Sequence, residues 1–89
     1  MMRALWHGEP LRMGQVLRRV REALGLEIAD VSRATLMRKD YLMWIERMEV
    51  GELPRGGYLT AILNTYAKYL QLPEKEVIRI YSQECGAVE

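Results

Sequence analysis

The sequence has only one cysteine, Cys85, and one histidine, His7, among its 89 residues. A single thiol cannot form an internal disulfide, and one histidine beside it is too few for a zinc cluster. A domain of this size also needs nearly all its apolar residues for its core, which leaves little volume for a catalytic pocket. We therefore expect a protein that is not an enzyme and that has no cofactor and no metal site.

Long hydrophobic runs and a strong excess of one charge are missing as well. No apolar run approaches the roughly 20 residues that cross a bilayer, and the first residues lack the core of a signal peptide. Thirteen Lys and Arg residues against twelve Asp and Glu residues give a net charge of +1, whereas a nucleic-acid-binding domain commonly has a pI above about 9. The chain is predicted to be cytoplasmic, and its overall charge does not mark it as a nucleic-acid binder.

Apolar residues recur at helical spacing along most of the chain. From Met13 to Leu24 they occupy positions i, i+3, i+4, i+7 and i+11, and Gly25 follows where a left-handed residue ends a helix. Gly51 is expected to allow a similar left-handed turn before Pro54. The predicted helices span residues 11–24, 28–35, 39–48, 58–70 and 74–83.

These helices predict an all-α fold, a compact bundle of about five short helices. The second and third helices are joined by a brief turn and pack under a longer first helix, which is the spacing of a lambda-repressor-like helix-turn-helix. Residues 1–10 are expected to form a flexible N-terminal tail, residues 11–83 the helix-turn-helix domain, and residues 84–89 a C-terminal tail that contains Cys85.

In a helix-turn-helix, the second helix of the pair presents its outward face to DNA. The candidate DNA-binding residues on that face are Arg38, Lys39, Met43 and Arg47. Four basic and four acidic residues between positions 28 and 49 cancel, however, and the third helix has no Asn or Gln to read adenine. A DNA-binding transcriptional regulator is therefore the alternative rather than the first hypothesis. Trp44 either joins Met43 in an exposed patch or packs against its helical neighbours.

Two parts of the sequence resemble known families. Residues 17–26, together with Val31, residues 41–42 and residues 45–46, follow the plan of lambda-repressor-like (XRE-type) domains. The stretches Leu53-Pro54-Arg55-Gly56-Gly57-Tyr58 and Tyr66-Ala67-Lys68-Tyr69-Leu70 resemble the cytoplasmic domain of the RodZ family. RodZ proteins link the actin-like MreB filament to the inner membrane in bacterial cell-shape control.

The resemblance implies a protein-interaction module that binds an MreB-like filament protein. In the family, aromatic residues one turn apart on the fourth helix pack on the filament, and the matching positions here are Tyr58 and Ile62. Arg55 and Tyr69 are expected to be flanking contacts. RodZ proteins continue into a transmembrane helix, so the resemblance implies a domain tethered to the inner face of the membrane through an anchor absent from this chain.

Several side chains have two possible roles at this stage. Tyr58 is either a core residue at the start of its helix or a partner contact. Tyr69 likewise is either a packed residue or an exposed contact. Arg18, Arg19 and Arg21 form either a solvated helix face or a surface attracted to an acidic partner or to anionic lipid.

Overall fold

The computed structural model describes residues 11–54 and 58–85, and five α-helices contain most of them. A short 3-10 turn, Val50–Glu52, follows the third helix. No strand occurs within these two ranges, so the all-α prediction is confirmed. The predicted tail over residues 1–10 lies outside the described residues. The helices are α1 (Met13–Ala23), α2 (Ile28–Thr35), α3 (Lys39–Glu46), α4 (Tyr58–Tyr69) and α5 (Glu74–Cys85).

The helices surround one hydrophobic core. α4 and α5 pack as a pair, α1 contacts α3 and α5, and α2 contacts α3 and α4, so α2 and α3 form the expected helix-turn-helix. Leu24, predicted to share the buried face of α1, is exposed because it lies at the helix C-cap. The buried apolar residues are Leu17, Val31, Leu42, Ile45, Leu53, Ile62, Leu63, Tyr66, Ala67, Leu70, Val77 and Tyr81.

The ends of α1 and α3 show where glycine is needed and where it is not. Gly25 adopts φ +73° after α1, as predicted. After α3 the left-handed residue is Met48, with φ +61°, and not Gly51, so that prediction is wrong. The backbone N–H groups of Met48 and Glu49 donate to the carbonyls of Ile45 and Trp44, which ends α3 in the pattern of a Schellman motif. The chain has therefore already turned before it reaches Gly51.

The last helix is longer than the sequence predicted. α5 continues to Cys85, two residues beyond the predicted end, and Cys85 is half-buried rather than part of a tail. The backbone N–H of Met13 donates to Glu84 Oε1 at 2.5 Å, and the Arg12 guanidinium donates to the Glu84 carbonyl oxygen at 2.5 Å. These contacts join the end of α5 to the start of α1, and they explain why the helix does not end at residue 83.

Candidate interaction surfaces

The exposed face of α4 contains two of the predicted partner-binding residues. Tyr58 is 49% exposed at the start of the helix and Tyr69 is 38% exposed at its end. A separation of eleven residues returns to nearly the same side of an α-helix, about 16 Å further along its axis. Both tyrosines are therefore available to a partner that lies along this face. Arg55 lies outside the described residues.

Ile62 was predicted to be a partner contact, but the structure does not expose it. Its side chain is only 4% exposed, because it lies where the buried stripe of α4 meets the exposed face. Leu63 is fully buried beside it, so the apolar stripe is wide enough to contain two adjacent residues. Ile62 can therefore form the floor of a surface site, but it cannot project from the surface as an anchor.

An apolar groove lies between α4 and the turn that joins α2 to α3. Tyr58 lies on the α4 side of this groove, and Ile62 lines it from the same helix. The groove is open to solvent and has a volume of about 260 Å³. The residues that line it are Leu36, Met37, Arg38, Tyr41, Tyr58, Ala61, Ile62 and Thr65.

Leu36 is a groove residue that the sequence analysis did not identify as functional. It lies in the α2–α3 turn and is 90% exposed, the highest exposure of the large hydrophobic residues in the described part of the chain. In the sequence, the spacing of apolar residues marked Leu36 only as part of the break between two helices. A large aliphatic residue inside a helix-turn-helix turn was the signal available in the sequence.

The structure separates the four candidate DNA-binding residues. Arg38 lines the apolar groove, on the side of the domain formed with α4. Met43 and Arg47 instead line a pocket with Arg18 of α1. Lys39 is exposed at the start of α3. The predicted set is therefore divided between two surfaces.

A basic cleft, formed by Arg12 at the N-cap of α1, Arg18 of α1 and Arg47 after α3, lies beside the helix-turn-helix. Arg18 forms an exposed ion pair with Glu22 at 3.0 Å, and Arg47 forms no ion pair within residues 11–54 and 58–85. An exposed pair of this kind is weak and leaves the arginine able to exchange its partner. With three arginines in its lining, the cleft is a cationic concave surface.

A buried polar triad underlies this cleft and joins three helices. Arg21 of α1 donates two hydrogen bonds to the Glu46 carboxylate of α3, at 2.7 and 3.0 Å, and Tyr66 of α4 donates a third. Arg21 also donates to the Leu26 carbonyl at 2.9 Å. Arg21 is therefore not part of a solvated face or a binding surface, contrary to both predicted roles.

The triad also changes two proton affinities. The hydrogen bond to Glu46 raises the pKa of Arg21, and burial, together with the bond to Glu46, raises the pKa of the Tyr66 hydroxyl. Arg21 thus stays charged and Tyr66 stays neutral across the physiological range. The charge of Glu46 is compensated inside the domain, so of the residues counted between positions 28 and 49 four basic and three acidic charges remain for the surface, a sum of +1.

Trp44 packs rather than forming a patch with Met43. Its ring stacks on Tyr41 with centroids 6.0 Å apart, and it lies partly buried against the core. The aromatic surface of α3 is therefore shared between the core and the apolar groove, which Tyr41 also lines.

Two further features, a metal site and a membrane-spanning helix, do not occur among the described residues. Across residues 11–54 and 58–85, no group of three or more His, Cys, Asp or Glu side chains is placed to hold a metal ion. No helix formed by those residues combines the length and the apolar character needed to span a membrane.

Comparison with known proteins identifies the family. The chain matches a family model described as a helix-turn-helix domain over residues 16–77, which is more than half of its length. No match was found among curated proteins or among solved structures. The matched family is found in RodZ-like proteins and is typically non-enzymatic. α2 and α3 pack as the helix-turn-helix pair, and the match runs from within α1 to the first turn of α5, so this chain belongs to the helix-turn-helix domain family.

Proposed function

We propose that this domain is a non-enzymatic interaction module that binds an MreB-like filament protein through the apolar groove and the exposed face of α4. The observation that carries the proposal is the position of Tyr58, which is 49% exposed and lines the groove. Tyrosine supplies a large apolar ring and a hydroxyl donor, and tyrosines are enriched at protein interfaces for that reason. The resemblance of the α4 sequence to the RodZ family supports the identity of the partner.

The contact differs from a simple row of exposed aromatic residues. Tyr58 and Tyr69 are the two large hydrophobic side chains that α4 exposes, and Ile62 forms part of the floor between the helices. A partner therefore gains apolar contact mainly in the groove beside Tyr58, while Tyr69 extends the contact toward the end of α4. In the cell, we expect this contact at the cytoplasmic face of the inner membrane, as the resemblance to RodZ proteins implies.

Substitution of Tyr58 by alanine tests the proposal. We expect affinity for the MreB protein of the same organism to fall about 30-fold, equivalent to about 2 kcal/mol, because a central aromatic contact is lost. The fold should be retained, because Tyr58 is half exposed and is not a core residue. The measurement is a titration of filaments with labelled domain, with circular dichroism to check helix content.

Leu24→Ala is the matched control, since Leu24 is also an exposed large hydrophobic residue but does not line the groove. It should bind the filament as the parent does. Equal binding by Tyr58→Ala and the parent would show that the α4 surface is not the contact.

DNA binding is the second candidate, and the basic cleft is the observation that favours it. The cleft brings Arg12, Arg18 and Arg47 together beside the outward face of α3, and the surface of the helix pair carries a sum of +1 rather than zero. Cations in this arrangement suit phosphate contacts, which release counterions from the duplex.

The expected result for this candidate is binding to duplex DNA that weakens as salt increases. Arg47→Ala should reduce the slope of log affinity against log salt concentration by about 1, the contribution of one phosphate contact. Arg33→Ala is the control, because Arg33 pairs with Asp30 on α2 and does not line the cleft. Absence of binding to duplex DNA at low salt would exclude the candidate.

A further inference from the structure

Leu36 combines two features that are each unfavourable to the isolated domain. Its backbone is left-handed, with φ +62° and ψ +23°, a conformation that favours glycine or asparagine over residues with a larger Cβ substituent. Its apolar side chain is 90% exposed, so it gains almost nothing from burial. Strained residues that persist without a benefit to the fold point to a role outside it.

The other left-handed, non-glycine residues of the described ranges do not share this combination. Met48 packs partly against the core, and its Sδ lies 3.3 Å from the backbone nitrogen of Gly14. Gln71 is exposed, but its side chain is polar. Leu36 alone among these three residues presents a large apolar side chain to solvent at a strained position.

The groove that Leu36 lines has an apolar wall and, among the described residues, one charged residue. Within residues 11–54 and 58–85, Arg38 is the only charged side chain that lines it, and its guanidinium lies 5.4 Å from the centre of the Tyr41 ring. The nearest ion-pair partner is Asp40, at 3.8 Å, which is beyond hydrogen-bond distance. Within the described part of the chain Arg38 pairs with no other carboxylate, so its guanidinium can form a hydrogen-bonded ion pair with an incoming acid.

The size of the groove limits what can occupy it. At about 260 Å³ it is smaller than the pockets of roughly 300–1,000 Å³ that enclose drug-sized ligands. Its described lining also offers little to orient a small molecule, since among those residues only Arg38, Thr65 and the two tyrosines carry polar side-chain atoms. A protein side chain is the occupant that suits this volume and this lining.

We infer that the groove receives a large apolar side chain of a protein partner, beside a carboxylate of the same partner that pairs with Arg38, and that Leu36 forms the outer wall of this contact. The inference rests on the proposed function, because it states the chemistry that the filament surface supplies. It adds the α2–α3 turn to the face of α4, so that specificity depends on two elements of the fold rather than on one helix.

Leu36→Asn separates binding from stability. Asparagine adopts the left-handed conformation more readily than leucine, so the melting temperature should stay the same or rise. Affinity for MreB filaments should fall about tenfold or more, because the outer wall of the contact is removed. Gln71→Asn is the matched control: it makes a similar change at a left-handed residue that does not line the groove, and it should bind as the parent does.

Arg38→Gln tests the charged half of the contact. We expect weaker binding and a smaller loss of affinity between low and high salt than the parent shows, because one ion pair across the interface is removed. Circular dichroism should be unchanged, since the Arg38 side chain is exposed and pairs only weakly with Asp40.

The outcomes distinguish this inference from the proposed function. Failure of the parent domain to bind MreB filaments would overturn both. Weak binding by Tyr58→Ala, with parental binding by Leu36→Asn and Arg38→Gln, would leave the proposed function and overturn the inference. A change in the sedimentation of the isolated domain on Leu36→Asn substitution would mean that a second copy of the chain occupies the groove, which also overturns it.

Discussion

Replacement of Glu46 by alanine is expected to lower the free energy of unfolding by about 3–5 kcal/mol, because it leaves the buried guanidinium of Arg21 without its counter-charge. The side chains of Arg21 and Glu46 are 9% and 6% exposed, so water cannot replace the lost carboxylate easily. The hydroxyl of Tyr66 also loses its acceptor. Small domains have total stabilities of about 5–15 kcal/mol, so the variant should unfold at a much lower urea concentration.

Two controls separate the triad from ordinary surface charge. Glu22→Ala removes an exposed ion pair with Arg18 and should change stability by less than about 1 kcal/mol. A triple variant, Arg21→Met with Glu46→Leu and Tyr66→Phe, should recover most of the loss, because it removes all three polar groups together. An unchanged urea midpoint for Glu46→Ala would contradict the importance of the triad.

Gly14→Ala is the second substitution with a large expected effect. A Cβ at this position would lie 2.6 Å from the Glu46 carbonyl oxygen and 2.7 Å from the Ile45 carbonyl oxygen. Both are backbone atoms of α3, so the clash cannot be relieved by rotation of a side chain. We expect a net loss of about 1–3 kcal/mol, despite the gain of about 1 kcal/mol that alanine normally brings inside a helix.

Gly51→Ala is the control for Gly14, because a Cβ at Gly51 would meet no atom within 4 Å and the backbone there is not left-handed. It should be neutral or slightly stabilising, since alanine restricts the unfolded chain. Thermal unfolding of the two variants provides the measurement. A melting temperature for Gly14→Ala at or above that of the parent would show that α1 and α3 do not approach as closely as described.

These two features bear on function because they fix the helices that form the candidate surfaces. The triad connects α1, α3 and α4, and Gly14 sets the approach of α1 to α3. The apolar groove depends on the distance between α4 and the helix-turn-helix, and the basic cleft depends on the distance between α1 and α3. Loss of either feature should therefore impair binding through the fold, whereas Tyr58→Ala and Leu36→Asn should impair it directly.

Local patterns in the sequence were sufficient for the helices. The spacing of apolar residues located all five, and Gly25 marked the end of α1, because helical periodicity and the left-handed preference of glycine act over a few residues. The same patterns failed at Met48, where contact with Gly14 accompanies a left-handed methionine, and at residues 84–85, where α5 is joined to the start of α1.

The candidate sites were less predictable than the helices. Tyr58 was identified from a family resemblance and Tyr69 from its position off the apolar stripe of its helix, and both are exposed. Ile62, also taken from the resemblance, is buried, and Leu36 was overlooked. Periodicity places residues on a face of their own helix, and it contains no information about which other element lies beside that face. Leu36 and Tyr58 line one groove although 22 positions separate them in the chain.

The number of charged residues follows from the sequence, whereas their exposure and pairing follow from the tertiary structure. Composition established a near-neutral chain with too few thiols and imidazoles for a disulfide or a zinc cluster, and no folding can alter those counts. Which charges face solvent depends instead on long-range packing. The sequence placed Arg21 in a possible exposed cluster and counted Glu46 among the charges of the helix pair. In the structure the two residues, 25 positions apart, neutralise each other inside the domain. The sequence determines the chemistry of each side chain, whereas burial and ion pairing depend on how helices distant in the chain pack against each other.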